Sequence, residues 1–202
     1  GFPLEMSIEE INKRRILPIS VDIIKHFKKL FEAHQEKSRS SSAGMFKGGL
    51  ANHNEQTIKL HTAHHLLLAA LQQVLGSEVK QRGSNITEER LRIDFAFDRK
   101  MTDEEKKKVE DLVNEAIQKD FKVVKREMSK ADAEALGAQM EFGAKYGDTV
   151  SVYFIEDENG NTFSKEFCGG PHVEHTGSLG HFKIQKEEAS SQGVRRIKGV
   201  LE

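Results

Sequence analysis

After residue 49 the hydrophobic spacing changes period in the order helix, strand, helix, strand, helix and then several strands. That order limits the fold more than any other feature, because helices and strands so interleaved favour an α+β sheet with helices on one face. NHNEQTIKLHTAHHLLLAALQQVLG opens the series as a helix, with Asn52 and Glu55 placed to cap it and Gly76 suited to the left-handed position past its last residue, Leu75. RLRIDFAF, residues 90–97, sets Leu91, Ile93, Phe95 and Phe97 on one face, the alternation of a half-buried strand. Thr102 and Glu105 form a capping box for a further helix, with Val109, Leu112, Val113, Ala116 and Ile117 at helical spacing. FKVVKREM reads as a strand and SKADAEALGA as a short helix. TVSVYFI, FSKEF, GHFKIQKE and GVRRIKGVL read as strands. The expected class is α+β with an antiparallel-rich sheet, and no fixed-period repeat interrupts it.

Upstream, the pattern is helical. Ser7 and Glu10 form a capping box before INKRR, Pro18 breaks that helix, and Ser20 caps the next, whose Ile23, Ile24, Phe27, Leu30 and Phe31 lie on one stripe. Phe27 and Phe31 are read as core residues rather than stacking platforms for bases. SRSSSAGMFKGG, residues 38–49, has the serine and glycine content of a connection, so the expected division is a helical segment, 1–48, and a second domain, 49–202. Residues 1–48 carry nine Lys and Arg against six Asp and Glu.

Over the full 202 residues the charges nearly cancel, 31 basic against 32 acidic, so any nucleic-acid contact must be local. No apolar run approaches the roughly 20 residues of a spanning helix, and no membrane role is expected. The opening GFPLEM lacks an initiator Met and a secretory signal, which reads as a chain beginning inside a longer one. One cysteine in the sequence points to a reducing, cytoplasmic setting. Nothing in the pattern fixes an oligomeric state.

That cysteine, Cys168, ends a strand in FCGGPHVEHTG, with His172 four residues on across Gly169, Gly170 and Pro171. A glycine-rich hinge lets the two side chains converge. His61 and His65 stand one helical turn apart, the spacing that offers two imidazoles to one zinc ion. Together they make a possible Cys-His₃ metal set. Two duller readings stay open for the same residues: a core-satisfied histidine pair with a packed cysteine, and a Cys-His nucleophilic pair.

HTAHHLLLAALQQVLG, QRGSNI, CGGPHVEHTG and the closing GVRRIKGVLE, taken together over about residues 53–202, resemble the editing domain of alanyl-tRNA synthetases. The free-standing alanyl-tRNA editing proteins and the threonyl-tRNA synthetase editing domain share the HxxxH and CxxxH halves. GFPLEMSIEEI and the helix after it look like the end of the synthetase's tRNA-recognition region, so the chain reads as a C-terminal piece of such an enzyme. The resemblance implies that His61, His65, Cys168 and His172 bind Zn2+ and that Gln81 lines the editing pocket. It implies hydrolysis of the ester joining a wrong amino acid, chiefly serine or glycine, to the acceptor end of tRNA(Ala). It also makes Arg195 and Arg196 RNA candidates.

Three positions depart from the family pattern. His64 stands where threonine is common, at the wall that senses a serine hydroxyl. Pro171 in CGGPH is closer to the threonyl version, and the glycine-rich barrel that normally precedes HxxxH is missing. A non-catalytic RNA-binding segment with a structural zinc, or a threonyl-type editing domain, is the alternative. Elsewhere Lys106, Lys107 and Lys108 read as a solvated helix face, and the glycines at 44–49 lack the Lys-Ser/Thr ending of a nucleotide site, so no ATP binding is expected of these residues alone.

Overall fold

A computed structural model describes residue 13 and residues 21–42, 49–140 and 146–202. The backbone contacts divide into two compact units, Gly1–Gly44 and Met45–Glu202. The first is represented by helix α1, Val21–Ser42. It runs through the serine stretch read as a connection, because SRSSS holds neither glycine nor proline and serine tolerates a helix. Ile23, Phe27, Leu30 and Phe31 stay exposed, with the two phenyl rings stacked at 6.0 Å, so the expected burial of Phe27 and Phe31 is not met among the described residues. The proposed caps Ser7, Glu10 and Ser20 lie outside the described residues.

The second unit is built around helix α2, Glu55–Leu75. Asn54, not Asn52, caps it: the Asn54 side chain accepts from the Thr57 N–H at 2.8 Å, while Asn52 accepts from Asn54 one step earlier. Every residue from Leu60 to Leu71 is buried, histidines included. A helix that is buried all round must be covered on several sides. Strands β1 (Gln81–Ile86) and β2 (Leu91–Ala96), helix α3 (Asp103–Gln118) and strand β5 (Thr162–Phe167) all pack against it. Gly76 ends α2 with φ +118° and ψ 154°, a positive φ outside the left-handed helical region expected of it.

The α+β class stands, but the strands form two sheets rather than one. The first has the order β1-β2-β7-β6, where β6 is Phe182–Ser191 and β7 is Val194–Leu201. The second has the order β3-β4-β5, with β3 at Lys122–Ser129 and β4 at Thr149–Glu156. All these pairings are antiparallel. Leu91, Ile93, Phe95 and Ile197 are fully buried on the face of the first sheet that meets α2 and α3. The Thr102 and Glu105 capping box is complete in both directions. Helix α4 (Lys130–Ala135) is capped by Ser129. The strand β1 has no apolar alternation to announce it, and it places Gln81 in a sheet rather than in a loop.

Candidate metal centre

The site forms where the middle of α2 meets the loop that leaves β5. His61 and His65 come from the helix, Cys168 and His172 from the loop, and one ligand atom of each lies within 4.8 Å of the others. Gly170 makes the loop possible: its φ is +66°, and a Cβ there would overlap the Tyr153 hydroxyl.

Hydrogen bonds fix the direction of two imidazoles. His61 Nδ1 lies 2.9 Å from the Pro171 carbonyl, which can only accept, so Nδ1 carries the proton and Nε2 presents a lone pair. His172 Nδ1 lies 3.0 Å from Thr62 Oγ1, whose own proton goes to the Ile58 carbonyl and which also accepts from the Val173 N–H. His172 Nε2 is therefore bare as well. Both bare nitrogens face Cys168 Sγ, at 3.4 and 3.3 Å. The Gly170 N–H donates to that sulfur at 3.3 Å.

Burial holds the histidines neutral. It pushes His61 down to about 4, with His53 adding to the fall and the Pro171 hydrogen bond opposing it. Burial, then the neighbouring imidazoles, puts His65 and His172 well below the usual histidine range. Neutral imidazoles and a thiolate are the protonation states that ligate a metal. Several lone pairs converging on one point repel unless a cation sits among them, so the donor set fits the metal reading.

A pocket adjoins His61, His65 and Cys168, and is bordered also by His64, Gln81, Glu166, Leu68 and Met140. Its volume, about 20 Å³, is room for one water-sized group. His64 is buried, its Nε2 has no hydrogen-bond partner among the described residues, and burial followed by His61 pushes it down to about 3. Gln81 is nearly buried beside an irregularity in the β1–β2 register at Arg82, the kind of bulge that re-aims a side chain. Glu166 escaped the sequence reading. Its carboxylate is buried, accepts from Ser164 Oγ at 3.1 Å and lies 3.6 Å from His65 Nε2. Alternation along FSKEFC, which puts Ser164, Glu166 and Cys168 on one face, was the signal available for it.

The two arginines are not in this pocket. Arg195 sits opposite Phe95 on the helix-covered face and pairs with Glu187. Arg196 sits on the opposite face, held by Asp94 through bonds of 2.7 and 2.8 Å. Lys106 and Lys107 pair with Asp103 and Asp111 on the solvated side of α3.

Residues 150–198 match the family described as the threonyl and alanyl tRNA synthetase second additional domain. That span contains Cys168 and His172 but not His61 and His65. The whole chain aligns with the alanine–tRNA ligase of Treponema denticola at 53% identity over 202 residues, covering 100% of this chain and 32% of the relative. Along its whole length the chain is similar to alanine–tRNA ligases. The enzyme of Borreliella afzelii gives 52% identity with the same coverage, and that of Pseudothermotoga lettingae 46% over 144 residues, 71% of this chain and 16% of the relative. The chain thus spans about a third of the length of the first two of these curated relatives. Among its described residues no helix is long and apolar enough to cross a membrane.

Proposed function

We propose that the chain is a zinc-dependent editing module that hydrolyses the ester of mischarged tRNA(Ala), chiefly seryl- and glycyl-tRNA(Ala). The observation that carries this reading is the convergence of His61, His65, Cys168 and His172 beside a small pocket with buried polar walls. An alanine-sized synthetic site cannot strongly reject glycine, which lacks a methyl, or serine, which adds a hydroxyl, since each difference is worth about 1–3 kcal/mol. A second site with positioned polar atoms can.

The four residues would hold the ion, which when bound would polarise the ester carbonyl or anchor the aminoacyl-adenosine end. The chain's own groups account for the selectivity. The buried, neutral His64 leaves Nε2 without a partner among the described residues, and a hydrogen bond with the serine hydroxyl satisfies it. Glu166 offers a buried carboxylate to the α-ammonium of the ester. Gln81, with both donor and acceptor atoms, positions the acyl group. The pocket leaves room for a water-sized group such as the serine hydroxyl.

The same Cys168 contacts also favour a rival, a thiol nucleophile with His61 or His172 as its base. Deacylation of seryl-tRNA(Ala) with and without zinc removal separates them. Hydrolysis that stops on chelation, returns with zinc and spares alanyl-tRNA(Ala) is expected; hydrolysis that survives full metal removal would sink the zinc reading in favour of the thiol.

A further inference from the structure

The first sheet has a face turned away from α2 and α3. Pairing puts Arg92 opposite Lys198, and Lys198 opposite Lys186, so three cations form a row across β2, β7 and β6. With neighbouring strands about 4.8 Å apart, the row is about 10 Å long. The next row on the same face is Asp94, Arg196 and Glu188. Arg90 adds a fifth cation, its guanidinium donating to the backbone and side chain of Asn85, the residue paired with Arg92. Five positive groups thus face two carboxylates.

Like charges directly opposite one another destabilise a sheet, and this row sets three cations against the two carboxylates Asp94 and Glu188. The two carboxylates orient the cations rather than cancel them: Asp94 clamps Arg196, and Glu188 lies 2.5 Å from Lys186 and 3.5 Å from Lys198. The Arg92 side chain is about a quarter exposed: its Nε is buried and without a hydrogen-bond partner among the described residues, 3.8 Å from Asp94. Lys186 and Lys198 keep 58% and 36% of their side chains exposed, so the row is open to a partner.

We propose that this open face, along Arg92, Lys198 and Lys186, docks the phosphate backbone of double-stranded RNA. Contacts of this kind supply affinity and orientation without reading bases, which suits a surface of cations on a regular sheet. The editing reading supplies the reason the partner is RNA. The β1 strand is the sheet's edge, and its Gln81 borders the pocket on the covered side. Residues 49–51 are paired to the Ile86 end of β1, so a single-stranded end leaving a duplex on the open face would reach the pocket across the Gln81 end.

Each phosphate contact contributes about 0.9 to the slope of log affinity against log salt, which at about 0.1 M salt amounts to roughly eightfold per contact. The test is anisotropy of a labelled RNA hairpin of mixed stem sequence, titrated with the full zinc-loaded chain across about 50–200 mM salt. Arg92→Gln with Lys198→Gln is expected to weaken binding by about 60-fold and to reduce the slope by about two. Lys107→Gln with Lys108→Gln removes the same charge from the solvated side of α3 and is expected to leave both unchanged. Equal loss in the two double variants, or no salt-dependent binding by the unmodified chain, overturns the proposal. Zinc content and the melting midpoint of each variant show that the fold is kept. A chain that binds the hairpin as described yet fails to deacylate seryl-tRNA(Ala) defeats the editing reading and leaves this docking face standing.

Discussion

Replacing Thr62 by valine tests the support behind the metal site. Thr62 is fully buried in the turn of α2 between the two metal-facing histidines, and its oxygen accepts from His172 Nδ1 at 3.0 Å and from the Val173 N–H at 3.2 Å. Valine keeps the shape and removes the acceptor, so two half-buried donors lose their partner at once. Each orphaned donor costs about 1–3 kcal/mol, and because both bonds are near the long end of the range a total of about 3 kcal/mol is expected. The Ile58 carbonyl loses little, since its contact with the hydroxyl is 3.3 Å. Losing the group that fixes the His172 ring should also weaken metal binding by about 10–100-fold. Urea unfolding of the zinc-loaded protein reads the first quantity, and competition with a coloured chelator reads the second. Thr62→Ser, which restores the acceptor, should recover most of both. Unchanged zinc affinity in Thr62→Val would refute the claim that this hydroxyl sets the His172 tautomer.

Three further outcomes follow from the geometry. Cys168→Ala should lose bound zinc and deacylation together, whereas lost activity at full zinc occupancy counts against Cys168 as a ligand. His64→Phe keeps the ring's bulk and removes Nε2, so hydrolysis of seryl-tRNA(Ala) should fall about tenfold, the worth of one hydrogen bond to a buried group, while glycyl-tRNA(Ala) is spared; equal loss on both substrates contradicts the hydroxyl contact. Glu105 is pushed down to about 2, first by its hydrogen bond to Arg99 and then by the Thr102 N–H, so its contribution is present above 4.5 and fades as pH falls from there towards 2. Screening of this solvent-facing pair limits it to about 1 kcal/mol, the scale of a helix cap. Glu105→Gln keeps a capping group that does not titrate, so urea midpoints of this variant should change less between pH 5 and pH 3 than those of the parent.

The metal cradle was legible because its two halves carry local signatures: the one-turn spacing of His61 and His65, and a lone cysteine four residues from His172 across a glycine hinge. The groups that orient it were not. The Pro171 carbonyl and the Thr62 hydroxyl reach across 110 residues to their histidines, and no local pattern encodes such a contact. Strand β1 was missed because its buried ends, Gln81 and Ile86, lie on opposite parities and the residues between them are polar or glycine. Without that strand Gln81 could be placed only by resemblance. The division into two sheets was hidden for the same kind of reason: alternation tells which face of a strand is buried, while the pairing of β7 with β2 is decided by the helices between them. The cation row on the open face emerged only with that register.

X-ray absorption at the zinc edge of the purified, zinc-loaded chain tests the central claim most directly. One sulfur at about 2.3 Å and three nitrogens at about 2.0–2.1 Å are predicted for Cys168 with His61, His65 and His172, and Cys168→Ala should remove the sulfur alone from any zinc that remains. A shell of nitrogen and oxygen without sulfur in the parent protein would contradict the account.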